Sequence, residues 1–234
     1  MDPLSLEFWT ALATIVFIDL VLAGDNAIVI GMAARNLPPH QQKAAILWGT
    51  GGAVAIRIAA TALVVYLLQV PWLQLAGGLL LIWIAYKLLT QEEGGHEVKA
   101  GNTLWQSVWT IIAADAAMGL DNVIAIAGAS HGNLLLVVLG LLISIPIVVW
   151  GSTLFIRLMG RFPWIIYLGG GVLAYTAAKM ITHEKHIAHL FEEREWLTWV
   201  FYAAVIAGVL LAGYAVNAVR ARQTAPQEKS REPH

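Results

Sequence analysis

Seven long apolar stretches alternate with short polar segments along the 234 residues. An α-helix rises about 1.5 Å per residue, so roughly 20 apolar residues cross the 30 Å or so of hydrocarbon in a bilayer. The pattern therefore predicts an all-α membrane protein. The seven transmembrane helices are expected near residues 7–34, 44–68, 71–89, 104–129, 134–157, 163–181 and 197–219.

Composition agrees with the pattern, because 59% of the residues are hydrophobic, 12% are charged, and the mean hydropathy is +0.70. Soluble domains are about half apolar and a quarter charged. The absence of cysteine from the sequence excludes a disulfide framework, thiolate metal sites and a cysteine nucleophile. No nucleotide-binding motif is present, and we expect no nucleic-acid partner.

Basic residues are distributed unequally between the two sides of the predicted bundle. Ten of the 14 lysines and arginines fall on one side and three on the other, while Arg57 lies within the second stretch. The positive-inside rule then predicts an N-terminus outside and a C-terminus in the cytoplasm. We expect a multi-pass protein of a bacterial inner membrane, surrounded by lipid and compatible with a homo-oligomer.

Four of the five aspartates lie inside apolar stretches and form one pattern twice. Two aspartates six residues apart, with an asparagine directly after the second, occur in the first stretch and again in the fourth. A carboxylate at the bilayer centre costs roughly 2.5–3.5 kcal/mol on insertion scales, so four of them require partners. Packing does not explain this placement, and a bound cation does. The predicted metal ligands are Asp19, Asp25, Asn26, Asp115, Asp121 and Asn122.

The duplication extends beyond the aspartates, because residues 76–87 of the third stretch align without a gap with residues 168–179 of the sixth. Three spans per unit force the second unit to insert upside down, which is a transporter architecture. The fold prediction is two inverted three-helix repeats plus one extra helix. Its parts are a first repeat (1–90), a cytoplasmic loop (91–103), a second, inverted repeat (104–182), an extracytoplasmic loop (183–196), a seventh transmembrane helix (197–219) and a disordered cytoplasmic tail (220–234).

The predicted ligands are carboxylate and amide oxygens. Such hard donors suit Mg, Ca or Mn, whereas Zn and Cu prefer nitrogen or sulfur. Carboxylates that lie close together tend to hold protons, so exchange of metal for protons is chemically natural. Gly24 and Gly119 precede the second aspartate of each copy, where an unwound helix would turn Asp25 and Asp121 toward the site. Close helix packing is the alternative reason for these glycines.

Two further features are candidates for function. Arg57 is too central to reach the membrane surface easily, and we expect an electrostatic or gating role, against the alternative of a structural ion pair. The loop that contains His183, His186 and His189 is either an external metal-capture point or an ordinary solvated segment.

The paired motifs, the 3+3 repeat and the seven-span length resemble the TerC family of integral membrane proteins. The resemblance covers residues 7–219 and is most specific in the motif segments. That family is associated with manganese export and, by name, with tellurium resistance. The resemblance implies Mn(II) efflux, with the six predicted ligands as transport site and no cofactor. The second copy reads GLDN where the first reads AGDN, so the two helix breaks need not be symmetric.

Three alternatives to Mn(II) export stay open at this point. The first is a transporter for Ca(II) or another divalent cation, and the second is a non-transporting membrane factor for metallation of other proteins. The third is an intramembrane aspartyl protease, which we disfavour because LAGD and MGLD both lack the GxGD pattern of that class. We therefore expect that the protein is not an enzyme.

Overall fold

The structure, a computed structural model, describes residues 5–67, 70–91, 103–192 and 194–228, without the side chains of residues 21–23, 65, 120, 121, 192 and 223–228. These residues form helices and turns, and no β-strand occurs among them. The helices are α1 Leu6–Ala34, α2 Pro39–Ala62, α3 Val64–Leu67, α4 Leu73–Leu89, α5 Leu104–Ala129, α6 Leu134–Arg161, α7 Ile165–Thr182, α8 Ala188–Glu192 and α9 Glu195–Glu228.

Several helices begin where the sequence offers an N-terminal cap. The side chains of Ser5, Thr103 and Asn133 each accept a hydrogen bond from a backbone amide in the first turn of α1, α5 and α6. Pro39 occupies the first position of α2, where its missing N–H costs nothing. Polar residues between the apolar stretches therefore determine where these helices start.

Four helices are long and apolar enough to cross a membrane unbroken, namely α2, α6, α7 and the Glu195–Arg222 part of α9. The bent helices α1 and α5 raise the number to six if each counts as one span. Helix α4, with 17 residues, is shorter. The chain is thus an all-helical membrane protein with four to six candidate spans, and the predicted seven would include α4.

Helices α1 and α5 bend close to their Asp-Asn pairs. In α1 the segments Leu6–Leu20 and Gly24–Ala34 meet at 48°, and in α5 the segments Leu104–Gly119 and Asn122–Ala129 meet at 64°. Both bends adjoin the glycines at which the sequence predicts a break. The chain stays helical through each bend, so the expected unwinding is instead a change of helix direction. Glycine weakens the local helix enough to permit this.

The helices pack in three main pairs, α1 with α6, α2 with α5, and α4 with α7. Glycines bring two of these pairs close together. A Cβ atom at Gly49 would lie 2.8 Å from the Ile111 side chain of α5, and one at Gly140 would overlap the Ile15 side chain of α1. Small residues of this kind let membrane helices approach one another closely.

Helix α9 packs against α7 and α4. The Asn217 amide donates hydrogen bonds to the Leu89 carbonyl and the Tyr167 hydroxyl, both at 3.1 Å. The helix continues to Glu228, beyond residue 219, the predicted end of the seventh transmembrane helix. Residues 229–234 lie outside the described structure, as do residues 92–102 of the predicted cytoplasmic loop.

The outer surface of the helices is apolar. All ten tryptophans are exposed, as expected for side chains that face lipid or its interface. Phe17, Leu47 and Leu211 are also more than half exposed. A soluble protein would bury such residues, so this surface fits a bilayer as surrounding solvent.

Candidate cation site

Asp19 of α1 and Asp115 of α5, the first aspartates of the two motifs, lie on either side of Arg57 from α2. The Arg57 Nη1 donates a hydrogen bond to Asp19 Oδ1, and Nη2 donates one to Asp115 Oδ1. All three side chains are buried, with 3%, 8% and 5% exposure for Asp19, Asp115 and Arg57. One guanidinium thus joins the two copies of the motif.

The charges of this trio sum to −1 when both carboxylates are ionised. Two unit charges roughly 4 Å apart interact by about 4 kcal/mol where the effective dielectric constant is about 20, and a divalent ion doubles that value. A divalent cation beside the two carboxylates would be attracted by each of them about as strongly as the guanidinium repels it. Arg57 and such an ion therefore compete for Asp19 and Asp115.

A small cavity of about 20 Å³ adjoins the trio, enough for one water-sized occupant. Its polar lining, besides the trio, comes from Asn26 of α1, Thr50 of α2 and Ser144 of α6. Asn26 Oδ1 and Thr50 Oγ1 are buried and have no hydrogen-bond partner within the described part of the chain. Buried polar atoms are nearly always partnered, so these two oxygens indicate that the cavity accommodates a polar ligand.

The Ser144 hydroxyl donates a 3.1 Å hydrogen bond to the Gly140 carbonyl. Its lone pairs can still accept a bond or coordinate an ion. Oxygen-bearing side chains from α1, α2, α5 and α6 thus line one cavity, and its described lining includes no histidine, cysteine or methionine.

Asp25 lies near this cluster but does not line the cavity. Its side chain is half-buried, and its Oδ1 accepts a hydrogen bond from the backbone amide of Asn26 at 3.0 Å. Thr176 of α7 and Arg57 are both within electrostatic reach of the carboxylate. The bend in α1 therefore leaves Asp25 beside the site, on the α7 side.

The structure assembles part of the predicted ligand set. Asp19, Asn26 and Asp115 share the cavity, whereas Asn122 is buried but lies outside its lining. The side chain of Asp121 is not among those described. Within the described residues, no three histidine, aspartate or glutamate side chains come together as a metal-binding group. In this conformation Arg57 occupies the position between the two carboxylates.

Thr50 is a site residue that sequence reasoning missed. A single threonine in an apolar helix gives no signal by itself. The cavity residues of α2 recur at the same intervals in α6, and Arg57 then corresponds to an uncharged valine. The matching sets are Thr50, Ala53, Val54 and Arg57 on α2 and Leu141, Ser144, Ile145 and Val148 on α6.

A second cavity, also of about 20 Å³, lies on the α5 side of Arg57. Ile56 and Ala60 of α2 and Ala116, Gly119 and Val123 of α5 contribute to its wall, together with Arg57 and Asp115. Arg57 Nε has no hydrogen-bond partner among the described residues, and a Cβ atom at Gly119 would lie 3.9 Å from it. The arginine therefore lies between a cavity with several polar side chains in its wall and a more apolar one.

The histidine-containing loop is organised around Glu184, which is only 4% exposed. Its Oε2 accepts hydrogen bonds from the amides of Gln74 and Leu75 at 3.1 and 3.3 Å, and its Oε1 lies 2.9 Å from His186 Nδ1. The His186 ring stacks on Trp72, with centroids 4.4 Å apart. Glu184 thus caps the N-terminus of α4, a role that the interpretation as a solvated loop did not include.

The hydrogen bonds of Glu184 affect its acidity. Burial raises the pKa of the carboxyl, but the hydrogen bonds from the His186 ring and from the backbone amides of Leu75, Gln74 and His186 outweigh burial and hold that pKa below its ordinary value. His183 is also engaged, since its Nδ1 lies 2.8 Å from the Lys179 carbonyl oxygen. The loop geometry in the described residues thus shows a structural cap on α4.

Comparison with known proteins places the chain among bacterial membrane proteins. It is 44% identical to the uncharacterized membrane protein YjbE of Bacillus subtilis (strain 168) over 206 residues, which cover 88% of this chain and 94% of the relative. It is 22% identical to YkoY of the same organism over 92% of this chain and 74% of the relative. The inner membrane protein YoaE of Escherichia coli (strain K12) is 26% identical over 72% of this chain and 36% of its own length.

No solved structure matches the chain. The family model described as "Integral membrane protein TerC family" matches residues 4–222, which include both aspartate motifs and every helix from α1 to α8. The resemblance noted from the motifs is thereby confirmed. The chain belongs to the TerC family of integral membrane proteins.

Proposed function

We propose that the protein is a transporter that exports a divalent cation, with Mn(II) as the first substrate to test. One observation carries the proposal. Asp19 and Asp115, from corresponding positions of the two motifs, meet at one small cavity that Asn26 and Thr50 also line, and Asn26 Oδ1 and Thr50 Oγ1 are buried without a hydrogen-bond partner among the described residues. Buried ionisable groups inside membrane helices are rare and typically belong to transport pathways.

The proposed architecture is two inverted three-helix units, α1, α2 and α4 against α5, α6 and α7, with α9 outside them. When α1, α2 and α4 are matched in order with α5, α6 and α7, the α1–α6 contact corresponds to the α5–α2 contact. These are the two most extensive helix contacts in the described structure. The Gly49–Ile111 and Gly140–Ile15 contacts correspond in the same way. The matched spacing of cavity residues on α2 and α6 supports the same relation.

In this architecture the chain crosses a bacterial inner membrane seven times, with α4 as the third crossing. The excess of lysine and arginine on one side orients the N-terminus outward and the C-terminus into the cytoplasm. The cation site then lies near the midplane, where the two units meet, as in other transporters built from inverted repeats.

The donor set indicates the class of substrate. Carboxylate, amide and hydroxyl oxygens bind hard cations such as Mn(II), Ca(II) and Mg(II) and give no advantage to Zn(II) or Cu(II). Mn(II) is placed first because the family is associated with manganese export. Ca(II) is the alternative with the same donor chemistry.

The direct test is divalent-ion flux into proteoliposomes that contain the purified protein, with Mn(II), Ca(II) and Mg(II) compared. We expect saturable Mn(II) flux in the wild type. Asp19→Asn and Asp115→Asn should each lower it by roughly tenfold or more, since even indirect support of a metal ligand is worth that much. The paired variant Asp25→Asn/Asp121→Asn tests the second aspartates in the same assay.

Glu195→Gln is the matched control, because Glu195 is an exposed carboxylate at the start of α9. It should transport like the wild type. Absence of flux for all three ions in the wild type would contradict the transporter proposal. The next assay would then ask whether the protein delivers metal to a second membrane or secreted protein.

A further inference from the structure

We infer that Arg57 is the built-in counter-cation of the transport cycle. After the metal ion leaves, the guanidinium takes its place between Asp19 and Asp115, and the emptied site can change its access without binding an ion from solution. This inference rests on the proposed function and specifies how the same site returns to its starting state.

The contacts of Arg57 are those required of a substitute cation. It binds one carboxylate from α1 and one from α5, the two helices that carry the duplicated motif. A metal ion bridging the two motifs would contact the same two carboxylates. A guanidinium keeps its charge at any physiological pH, so it is always available to compensate them.

The surroundings contain no alternative basic group among the described residues. The charged side chains near the guanidinium are Asp19, Asp115 and Asp25, while α6 contributes the uncharged Ser144 and Val148. The position on α6 that matches Arg57 is Val148. One arginine therefore serves both carboxylates.

The structure also has a small cavity beside the guanidinium, on the α5 side, in which its displacement by an ion would begin. The ion-sized polar cavity is on one side of Arg57, and the second cavity is on the side of α5. Nε already faces Gly119 at the α5 bend and has no partner in the described structure. Rotation of the guanidinium toward Gly119 would release the carboxylates to the ion.

This arrangement has an electrical consequence. If Arg57 compensates the carboxylates of the empty site, one cycle moves the two charges of the metal ion across the membrane, and no charged ion from solution is carried back. Net transport is then electrogenic, whereas exchange against two protons would be electroneutral. The prediction differs from the proton exchange that the carboxylate motif alone suggests.

The experiment uses full-length protein in proteoliposomes with Mn(II) as the probe. Two rates are compared for each variant: net uptake into Mn-free vesicles, and exchange into vesicles preloaded with Mn(II). In exchange the site carries Mn(II) in both directions, so it never has to change its access while empty. Net uptake requires the empty site to change its access in every cycle. The ratio of net uptake to exchange therefore reports the step assigned to Arg57.

For the wild type we expect the rate of net uptake to be comparable to the rate of exchange. We also expect a potassium diffusion potential, negative inside, to accelerate net uptake. Arg57→Gln should lower the ratio by roughly tenfold or more, because removal of one partner leaves uncompensated buried charge. Arg157→Gln is the matched control, since Arg157 is exposed and near the end of α6; its ratio should stay unchanged.

The double variant Arg57→Gln/Asp115→Asn separates charge from structure and remains informative if the single variant does not fold. It restores the net charge of the trio, so its ratio should return toward the wild-type value even though its affinity for Mn(II) falls. A ratio that stays low in the double variant would overturn the inference, as would wild-type uptake that ignores the potential. Failure of the wild type in both modes would instead contradict the proposed function.

Discussion

At the residue scale, the most informative atoms are the two buried oxygens without partners. Asn26 follows directly from the repeated motif, and its position beside Asp19 could be predicted from helical periodicity, since residues seven apart lie on one face. Thr50 could not be predicted, because threonines in membrane helices usually bond to their own backbone. Thr61, on the same helix, does so with the Arg57 carbonyl at 2.7 Å, whereas Thr50 does not.

Thr50→Val tests whether this hydroxyl is a ligand. Valine has nearly the same shape, so the variant should lose Mn(II) affinity by roughly three- to tenfold, the worth of one hydrogen-bond-sized interaction. Its thermal stability should be unchanged or higher, because an unsatisfied buried hydroxyl is removed. Thr61→Val is the control on the same helix and should cost stability without changing affinity. Equal affinities for Thr50→Val and the wild type would exclude Thr50 from the site.

At the element scale, the repeated glycines indicate where α1 and α5 change direction, but the capping of α4 gives no local signal. Glu184 lies more than a hundred residues from Gln74 and Leu75 in sequence, so pattern reading assigns it to a polar loop. The N-terminus of a helix presents free amides that favour a carboxylate. Tertiary contact between two loops, rather than local sequence, supplies that carboxylate here.

Glu184→Gln should reduce stability at neutral pH by about 1 kcal/mol, since the charge-assisted bonds to α4 and His186 are weakened. The folded-state pKa of Glu184 lies below its ordinary value of 4.5. Its contribution is therefore present above that value and is lost as pH falls through the folded-state pKa. Thermal unfolding in detergent should show a wild-type advantage at pH 7 that disappears in acid.

Glu195→Gln, the exposed carboxylate near the same loop, is the comparison for this measurement. A similar loss of stability in that variant would attribute the effect to general surface charge. A difference between Glu184→Gln and the wild type that persists unchanged in acid would also count against the cap.

At the scale of the whole molecule, sequence reading predicted an all-helical membrane protein and the family, because apolar periodicity and the duplicated motif are strong local signals. It did not show how the helices pair. The α1–α6 and α2–α5 contacts depend on which glycines face a neighbouring helix. The sequence of a single helix does not reveal which of its glycines do so.

Gly49→Ala and Gly140→Ala test the two corresponding contacts together. Each added methyl group would overlap a branched isoleucine, so each variant should lose about 1–3 kcal/mol, and the two losses should be similar. Gly51→Ala is the control, since no atom lies within 4 Å of the added Cβ, and it should be neutral or slightly stabilising. Loss of stability in one variant alone would argue against equivalent contacts.

The two shortest long helices, α4 and α7, pack against each other. Their 17 and 18 residues correspond to about 26 and 27 Å of helix, less than the roughly 30 Å of hydrocarbon in an average bilayer. Short spans are accommodated when the surrounding lipid thins. In the proposed architecture, acyl chains beside this pair are therefore compressed, and lipids with shorter chains fit this side of the protein best.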